Sequence, residues 1–221
     1  MNAALPLLEI DKLVVHIRSM TALRGFSMNV AKGAMVSLVG RNGAGKTTLM
    51  RAIMGHLKPA QGVLRFEGAD LSARPRHARA ALGIGYMPED RCLVPQLTVE
   101  ENILLPLWVA KHLDRKARLD FVYGAIGELA EMRSRKALLL SGGQQKLVAL
   151  GRALGVGTKC LLLDEPFEGI APALSERLSE VLASLRGKDL TLLMAQSDMN
   201  HSRELIDVEF RIERGANLVA G

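Results

Sequence analysis

The sequence predicts an α/β fold in which helices cover a mainly parallel sheet. Apolar runs typical of buried strands alternate along the chain with segments whose apolar residues recur at helical spacing. The strongest runs, residues 159–163 and 191–195, are nearly continuous, as expected of parallel strands that are buried on both faces. A length of 221 residues suits one globular domain with a sizeable core.

The predicted elements of the first half follow one another closely. Residues 35–39 form an apolar run that predicts a buried strand, and a helix is predicted after it, over residues 46–56. Residues 63–67 and 84–87 have the pattern of short strands. This alternation of strands and helices is typical of a parallel sheet.

Between residues 90 and 155 the pattern becomes helical. The segment Thr98-Val-Glu-Glu101 matches a capping box, which predicts a helix start. Pro106 should end or kink that helix, because proline lacks an amide N–H and its ring clashes with the preceding turn. Further helices are predicted over residues 114–133 and from Gly142 onward. We therefore expect a compact helical insert in the α/β core.

The composition is that of a folded protein and argues against several classes. Apolar residues make up 48% and charged residues 24% of the chain. No run of 18 or more uncharged apolar residues and no secretory signal pattern is visible, so neither a membrane span nor secretion is expected. Cys92 and Cys160 stand alone, which predicts reduced thiols in a cytosolic protein. The net charge of +6 is scattered, so no nucleic acid is expected as a partner.

A glycine-rich segment predicts a site for nucleotide phosphates. Residues 40–48 read Gly-Arg-Asn-Gly-Ala-Gly-Lys-Thr-Thr and match G-x-x-x-x-G-K-[ST], here called the phosphate loop. The loop follows a predicted strand and opens a predicted helix, which is the context that this motif requires, and its N–H groups can face phosphate oxygens. Lys46 should reach the β- and γ-phosphates, and Thr47 should offer its hydroxyl to magnesium. The predicted nucleotide-binding residues of this P-loop are Gly40, Arg41, Asn42, Gly43, Ala44, Gly45, Lys46, Thr47 and Thr48.

Two adjacent carboxylates end a later predicted strand. Asp164 and Glu165 should emerge at the carboxyl edge of the sheet, where ligands bind in open α/β folds. Asp164 is expected to hold magnesium through water, and Glu165 to orient or deprotonate the attacking water. Capping of the next turn is the alternative interpretation, and the phosphate loop favours catalysis.

A second glycine motif lies between these two segments. Residues 140–144, here called the signature segment, read Leu-Ser-Gly-Gly-Gln and place Ser141 and two glycines at a predicted helix N-terminus. A helix N-terminus can bind an anion, yet a chain with its own phosphate loop has no evident local use for another such site. A well-capped helix start is the alternative. The residues in question are Leu140, Ser141, Gly142, Gly143 and Gln144.

The phosphate loop, the signature segment and the acidic pair, in this order, resemble those of the ATP-binding cassette (ABC) ATPases. The resemblance covers nearly the whole chain. It implies a P-loop NTPase core of the RecA-like kind, formed by residues 1–89 and 156–221, with an N-terminal antiparallel β part. A helical subdomain at about residues 90–155 completes the single predicted domain.

The same resemblance implies the chemistry and the assembly. ATP and Mg²⁺ would be the cofactors, and Lys46, Glu165 and Gln196 would be catalytic. Two copies would close face to face, so that the signature segment contacts the γ-phosphate of ATP bound to the opposing subunit. The second ATPase subunit would be either an identical or a different chain.

Two further segments resemble the ATPases of branched-chain amino-acid importers. They run from Gly83 to Asn102, through Pro-Glu-Asp-Arg, and from Asp164 to Pro172. This resemblance implies import of branched-chain or related hydrophobic amino acids, with urea or short amides as alternatives. It also implies transmembrane permease subunits, a periplasmic or extracellular solute-binding protein and a peripheral place on the cytoplasmic face of the membrane. Lipid or polysaccharide export, and action on nucleic acid, are the alternatives.

Several positions depart from the family pattern. Glu89 replaces a glutamine near magnesium, and a carboxylate can bind the metal but cannot donate an amide hydrogen bond. Ile17 replaces the aromatic residue that stacks on adenine, so the stacking contribution is lost. Gln196 stands in the place of the switch histidine and is predicted to donate to the γ-phosphate; His201 is interpreted as a surface residue. The chain stops at Gly221, earlier than relatives, so a C-terminal element is expected to be short or absent.

Overall fold

A computed structural model describes residues 5–199 and 202–218. The strands, in chain order, are β1 (Leu8–Ile17), β2 (Met20–Val30), β3 (Met35–Val39), β4 (Gln61–Phe66), β5 (Ala69–Asp70), β6 (Ile84–Met87), β7 (Cys160–Asp164), β8 (Thr191–Gln196), β9 (Val208–Glu213) and β10 (Ala216–Asn217). The α-helices are α1 (Lys46–Ile53), α2 (Ala78–Ala81), α3 (Val99–Leu104), α4 (Arg115–Ala125), α5 (Gly127–Glu131), α6 (Gly142–Val156) and α7 (Pro172–Ser184).

The larger sheet has six strands in the order β10-β9-β3-β8-β7-β6. All neighbours are parallel except the edge strand β10, which is antiparallel to β9. Every residue of β7 and β8 is buried, as their continuous apolar sequences predict. The predicted mainly parallel sheet is confirmed.

The smaller sheet confirms the predicted antiparallel part near the N-terminus. Its four strands lie in the order β2-β1-β4-β5, and each pair is antiparallel. Buried Leu8, Ile10, Leu13 and Val15 of β1 pack into the core below this sheet.

Two apolar clusters lie on opposite faces of the larger sheet. Val36 and Leu38 of β3 belong to the cluster that includes α1 and the smaller sheet. Met35, which directly precedes Val36 in the strand, belongs to the cluster that includes α6 and α7. Successive strand residues point to opposite faces, so each central strand contributes to both clusters.

The helical region contains two confirmed predictions and one correction. Thr98 forms the predicted capping box of α3 with Glu101, and α3 gives way at Leu105 to a 3₁₀ turn that contains Pro106. The helix predicted over residues 114–133 is instead two helices, α4 and α5, because the backbone at Ile126 (φ −130°, ψ 80°) leaves the helical region. Gly124 and Gly127 flank this break, and glycine is a weak helix former.

The strand order places three predicted site segments at one edge. Val39 of β3 is level with Gln196 of β8, and Asp164 of β7 is level with Ala195. Because these strands are parallel, the segments that follow them lie side by side at the carboxyl edge of the sheet. In residues 5–199 and 202–218, no helix is long and apolar enough to cross a membrane.

Candidate nucleotide-binding and hydrolysis site

Glycine is required in the phosphate loop for two different reasons. Gly43 (φ +80°) and Gly45 (φ +114°) adopt left-handed backbone conformations that side chains with a Cβ rarely accept. Gly40 instead lies against a neighbouring strand, where a Cβ would be 2.4 Å from the carbonyl oxygen of Ile212. The loop is therefore specified by backbone conformation and by packing together.

Lys46, the first residue of α1, is folded back over the phosphate loop. Its ammonium group donates to the carbonyl oxygens of Gly40 (2.5 Å) and Arg41 (3.3 Å) and to the hydroxyl of Ser197 (3.2 Å). It also forms an ion pair of 3.0 Å with Glu165 Oε1, although Lys46 is only 5% exposed. The positive charge thus lies inside the loop that is predicted to hold phosphates.

Asp164 ends β7 as a fully buried carboxylate. Its Oδ1 accepts from the Thr47 hydroxyl at 3.3 Å, and its Oδ2 accepts from the Tyr86 hydroxyl at 3.4 Å. The pKa of Asp164 is raised to about 6, chiefly by burial and to a smaller extent by the charges of Glu89 and Glu165, while the hydrogen bonds from Thr47 and Tyr86 act in the opposite direction. A cation bound near this carboxylate would favour its charged form.

Glu165 has a left-handed backbone (φ +48°), which is uncommon for a residue with a side chain. Its amide N–H donates to the carbonyl oxygen of Ala195 at 2.9 Å, which ties this unusual conformation to β8. Its carboxylate is held at both oxygens by Ser197: the hydroxyl donates to Oε1 at 2.7 Å and the amide N–H to Oε2 at 3.2 Å. With Lys46 also on Oε1, the carboxylate has a defined position beside the phosphate loop.

The Gln196 side chain has buried hydrogen-bond partners in this structure, and its role at the γ-phosphate stays a prediction. Its side-chain amide donates to the hydroxyls of Ser37 (2.8 Å) and Ser202 (2.7 Å), and the residue lines a small cavity together with Asn42 and Glu165. Ser197, one residue later, contacts Glu165, Lys46 and the Asn42 side-chain oxygen (2.8 Å) instead. Successive residues at a strand end point to opposite sides, so the alternation along β8 already indicated that Gln196 and Ser197 face different surroundings. His201 lies outside the described residues.

The signature segment forms the start of α6. Ser141 is the N-cap residue: its hydroxyl accepts from the Gln144 amide N–H at 3.3 Å, and the Gln144 side chain accepts from the Ser141 amide N–H at 3.0 Å. A Cβ on Gly143 would lie 2.6 Å from Leu174 Cδ2, so glycine permits close packing against α7. This reciprocal capping leaves the exposed helix start ordered.

A cavity of about 640 Å³ lies over the phosphate loop. Its volume suits a ligand of nucleotide size. Ile17, which was predicted to lie near adenine, contributes to its wall together with Met20, and Arg24 and Arg214 supply positive charge. Met20, Arg24 and Arg214 belong to none of the sequence motifs. Among the described residues that line this cavity, none belongs to the signature segment.

A second cavity, of about 560 Å³, adjoins the first between the larger sheet and the helical region. Glu89 lines both cavities and lies near Asp164. The turn after Glu89 is fixed by Arg152 of α6, whose guanidinium donates to the carbonyl oxygens of Arg91 and Cys92. The predicted magnesium residues Thr47, Asp164 and Glu89 all line this second cavity.

These oxygen donors fit a magnesium ion bound together with a nucleotide. Within the described part of the chain, no group of three or more His, Cys, Asp or Glu side chains is arranged to hold a metal by itself. Mg²⁺ in nucleotide sites takes one or two protein carboxylates and completes its shell with phosphate oxygens and water. A hydroxyl and two carboxylates beside a phosphate loop meet that requirement.

Comparisons with known proteins agree with this geometry. A profile of the ABC transporter family matches residues 23–168. The high-affinity branched-chain amino acid transport ATP-binding protein BraG of Pseudomonas aeruginosa is 34% identical over 95% of this chain and 90% of its own length. The lipopolysaccharide export system ATP-binding protein LptB of Haemophilus influenzae is 30% identical over 97% of this chain and 90% of its own length.

A solved structure shares both fold and sequence features with the chain. The ADP conformation of MJ1267, an ATP-binding cassette of an ABC transporter, matches with a TM-score of 0.81 at 28% identity, over 99% of this chain and 91% of its own. The phosphate loop, the buried Asp164 and the adjacent Glu165 lie side by side at the carboxyl edge of the larger sheet. The chain belongs to the ABC transporter family and is one of its ATPase cassettes.

Proposed function

We propose that this chain is the ATP-hydrolysing subunit of an ABC importer and drives transport through separate membrane subunits. The observation that carries the proposal is the meeting of Lys46, Asp164 and Glu165 at one sheet edge, with the signature segment outside their cavity. One chain therefore holds a nucleotide site and, separately, a motif suited to the nucleotide of another chain.

ATP binding begins with an exchange of partners at Lys46. The ammonium group leaves the carbonyl oxygens of Gly40 and Arg41 and turns to the β- and γ-phosphates. Its ion pair with Glu165 is then replaced by phosphate contacts, which frees a carboxylate oxygen to accept a proton from the attacking water. Ser197 remains hydrogen-bonded to Glu165 and keeps that carboxylate oriented.

Thr47, Asp164 and Glu89 are the residues that would hold magnesium. The ion, when bound, supplies positive charge to the phosphate oxygens and to the leaving group. Asp164 is protonated more readily than an ordinary carboxyl because it is buried, and a nearby cation favours its charged form.

The signature segment is proposed to complete the site of a second ATPase subunit. Its exposed start, with the N-terminus of α6 behind it, favours an anion such as a γ-phosphate. Closure of two chains around ATP would change the shape of the cavity between sheet and helical region, where the permease subunits are proposed to bind.

Branched-chain or related hydrophobic amino acids are the proposed cargo, with urea or short amides as alternatives. Similarity to BraG, whose name states branched-chain amino acid transport, supports this cargo, and a solute-binding protein is a further proposed partner in the same system. Similarity to LptB over 97% of the chain favours a second candidate, export of lipid or polysaccharide. A strain that lacks the gene should lose leucine uptake if the first proposal holds, and normal uptake of leucine, urea and amides would favour export.

The hydrolytic part of the proposal has its own test. Lys46→Met should abolish ATP hydrolysis by the purified chain, since the charge that contacts phosphates is lost. Lys58→Met, at an exposed position after α1, serves as the matched control. Undiminished hydrolysis by Lys46→Met would refute the assignment of the phosphate loop.

A further inference from the structure

Lys146 is a buried cation that none of the site motifs explains. It lies in the second turn of α6, two residues after the signature segment, and is only 5% exposed. Its ammonium group donates to the carbonyl oxygens of Glu165 at 3.0 Å and of Glu168 at 2.5 Å. Both acceptors are main-chain oxygens, so burial lowers the pKa of Lys146, and the charge of Arg91 adds to this effect.

The two carbonyl groups belong to the ends of one turn. The Glu168 amide N–H donates to the Glu165 carbonyl oxygen at 3.3 Å, so residues 165–168 close a turn, here called the Glu165 turn. Lys146 holds both ends of this turn with one group. Since Glu165 also has a positive φ, the turn depends on outside contacts to keep its shape.

A second contact joins the same two regions. Gly143 of the signature segment packs against Leu174, near the start of α7, so closely that a Cβ there would lie 2.6 Å from Leu174 Cδ2. Helix α7 begins at Pro172, four residues after the Glu165 turn ends. The start of α6 is thus fastened to both sides of the segment that carries Glu165.

We propose that Lys146 is a positioning residue that couples the signature segment to the Glu165 turn within one chain. A shift of the signature segment moves the ammonium group, and with it the carbonyl groups that fix the backbone of Glu165. The consequence in a dimer rests on the proposed function: the signature segment contacts one nucleotide while Glu165 acts on the other. Lys146 then links the two ATP sites.

The test compares Lys146→Met with Lys116→Met, an exposed lysine of α4, and with Lys146→Arg, which keeps donors and charge. Hydrogen exchange of the nucleotide-free chain should become several-fold faster over residues 141–145 and 165–168 in Lys146→Met only. The kcat for ATP should fall by between about tenfold and a hundredfold, because a displaced catalytic group loses its alignment. ATP affinity should stay within about twofold, and Lys146→Arg, which keeps the charge and the donors in a different shape, should recover part of the activity.

Three results would overturn the proposal. One is a kcat for Lys146→Met equal to that of the control; another is unchanged exchange in both segments. The third is an equal loss of kcat and ATP affinity, which would indicate general destabilisation. These measurements need only the purified chain, so a failed uptake experiment would refute the importer and leave this result standing.

Discussion

At the residue scale, Asp164 is a buried carboxyl group whose described hydrogen-bond donors carry no positive charge. Its carboxylate is fully buried, and its two hydrogen-bond donors are neutral hydroxyls, from Thr47 and Tyr86. Such a site favours the protonated acid, which is why the pKa of Asp164 rises to about 6. A carboxyl with a raised pKa binds more protons in the folded state than in the unfolded chain.

The pH dependence of stability follows from that sign. As pH rises from about 4 to about 6, Asp164 loses its proton in the unfolded chain before it does so in the folded chain. Above about pH 6, this residue therefore lowers the free energy of unfolding of the nucleotide-free protein by roughly 2–3 kcal/mol. Asp164→Asn removes the buried charge. It should melt several degrees above the wild type at pH 8, and the two should melt together near pH 4, in calorimetric scans. An equal difference at both pH values would contradict this account.

Ser197 gives a second prediction at this scale. Its hydroxyl donates to a carboxylate, and a hydrogen bond to a charged group contributes about 1.5–3 kcal/mol. Ser197→Ala should therefore lower kcat by between about tenfold and a hundredfold, and Ser197→Thr should retain most of the activity. Steady-state ATPase assays test this, with Ser184→Ala on α7 as the control.

Replacing Ser197 by histidine tests whether the side chain at this position affects the hydrolytic step or only fills space. Serine does not titrate near neutrality, whereas histidine has an ordinary pKa of about 6.5. Ser197→His should add a change in kcat near that pH which the wild type lacks. An unchanged profile, together with full activity of Ser197→Ala, would exclude Ser197 from the hydrolytic site.

At the element scale, α6 connects the parts of the site. Lys146 holds the Glu165 turn, Arg152 holds the turn after Glu89, and Arg118 of α4 donates to the carbonyl oxygens of Leu154, Gly155 and Gly157 at the helix end. A cation at a helix C-terminus stabilises the helix dipole. The apolar spacing of α6 was readable in the sequence, but these lateral contacts were not.

Close packing of α6 against β6 gives a prediction about stability. A Cβ on Gly85 would lie 2.1 Å from the carbonyl oxygen of Ala153, and backbone atoms cannot move aside cheaply. Gly85→Ala should lower the free energy of unfolding by about 1–3 kcal/mol. In Gly124→Ala, by contrast, the added Cβ meets no atom within 4 Å, so this helical substitution should stabilise by up to about 1 kcal/mol. Denaturant titrations measure both changes. A stabilising Gly85→Ala together with a destabilising Gly124→Ala would contradict the packing argument.

At the scale of the whole molecule, the site is open on the side of the phosphate loop. Its cavity receives no residue from the signature segment within the described part of the chain, and the signature segment is exposed at Ser141 and Gly142. If two chains faced each other, the signature segment of each chain would cover the open cavity of the other. This arrangement would give a use to both motifs that the sequence predicts to bind anions.

Glu165→Gln should trap that pair of chains. The substitution keeps the shape of the side chain but removes the base, so ATP would bind and persist. Its mass in solution should shift from monomer to dimer with ATP and magnesium, and remain monomeric with ADP. A monomer with ATP bound would point to a different partner subunit, and a monomer without ATP would indicate that Ile17 is too weak a contact for the base.

The sequence by itself determined the fold class, the phosphate loop and the acidic pair, because these depend on local apolar runs, glycine positions and motif spacing. It also determined the capping box of α3, which involves residues only three apart. The tertiary structure alone decided that Ser197 and not Gln196 contacts Glu165, and that Lys146 reaches the Glu165 turn. Those facts depend on which way a side chain points at a strand end and on contacts between distant segments, and both are set by packing rather than by local pattern.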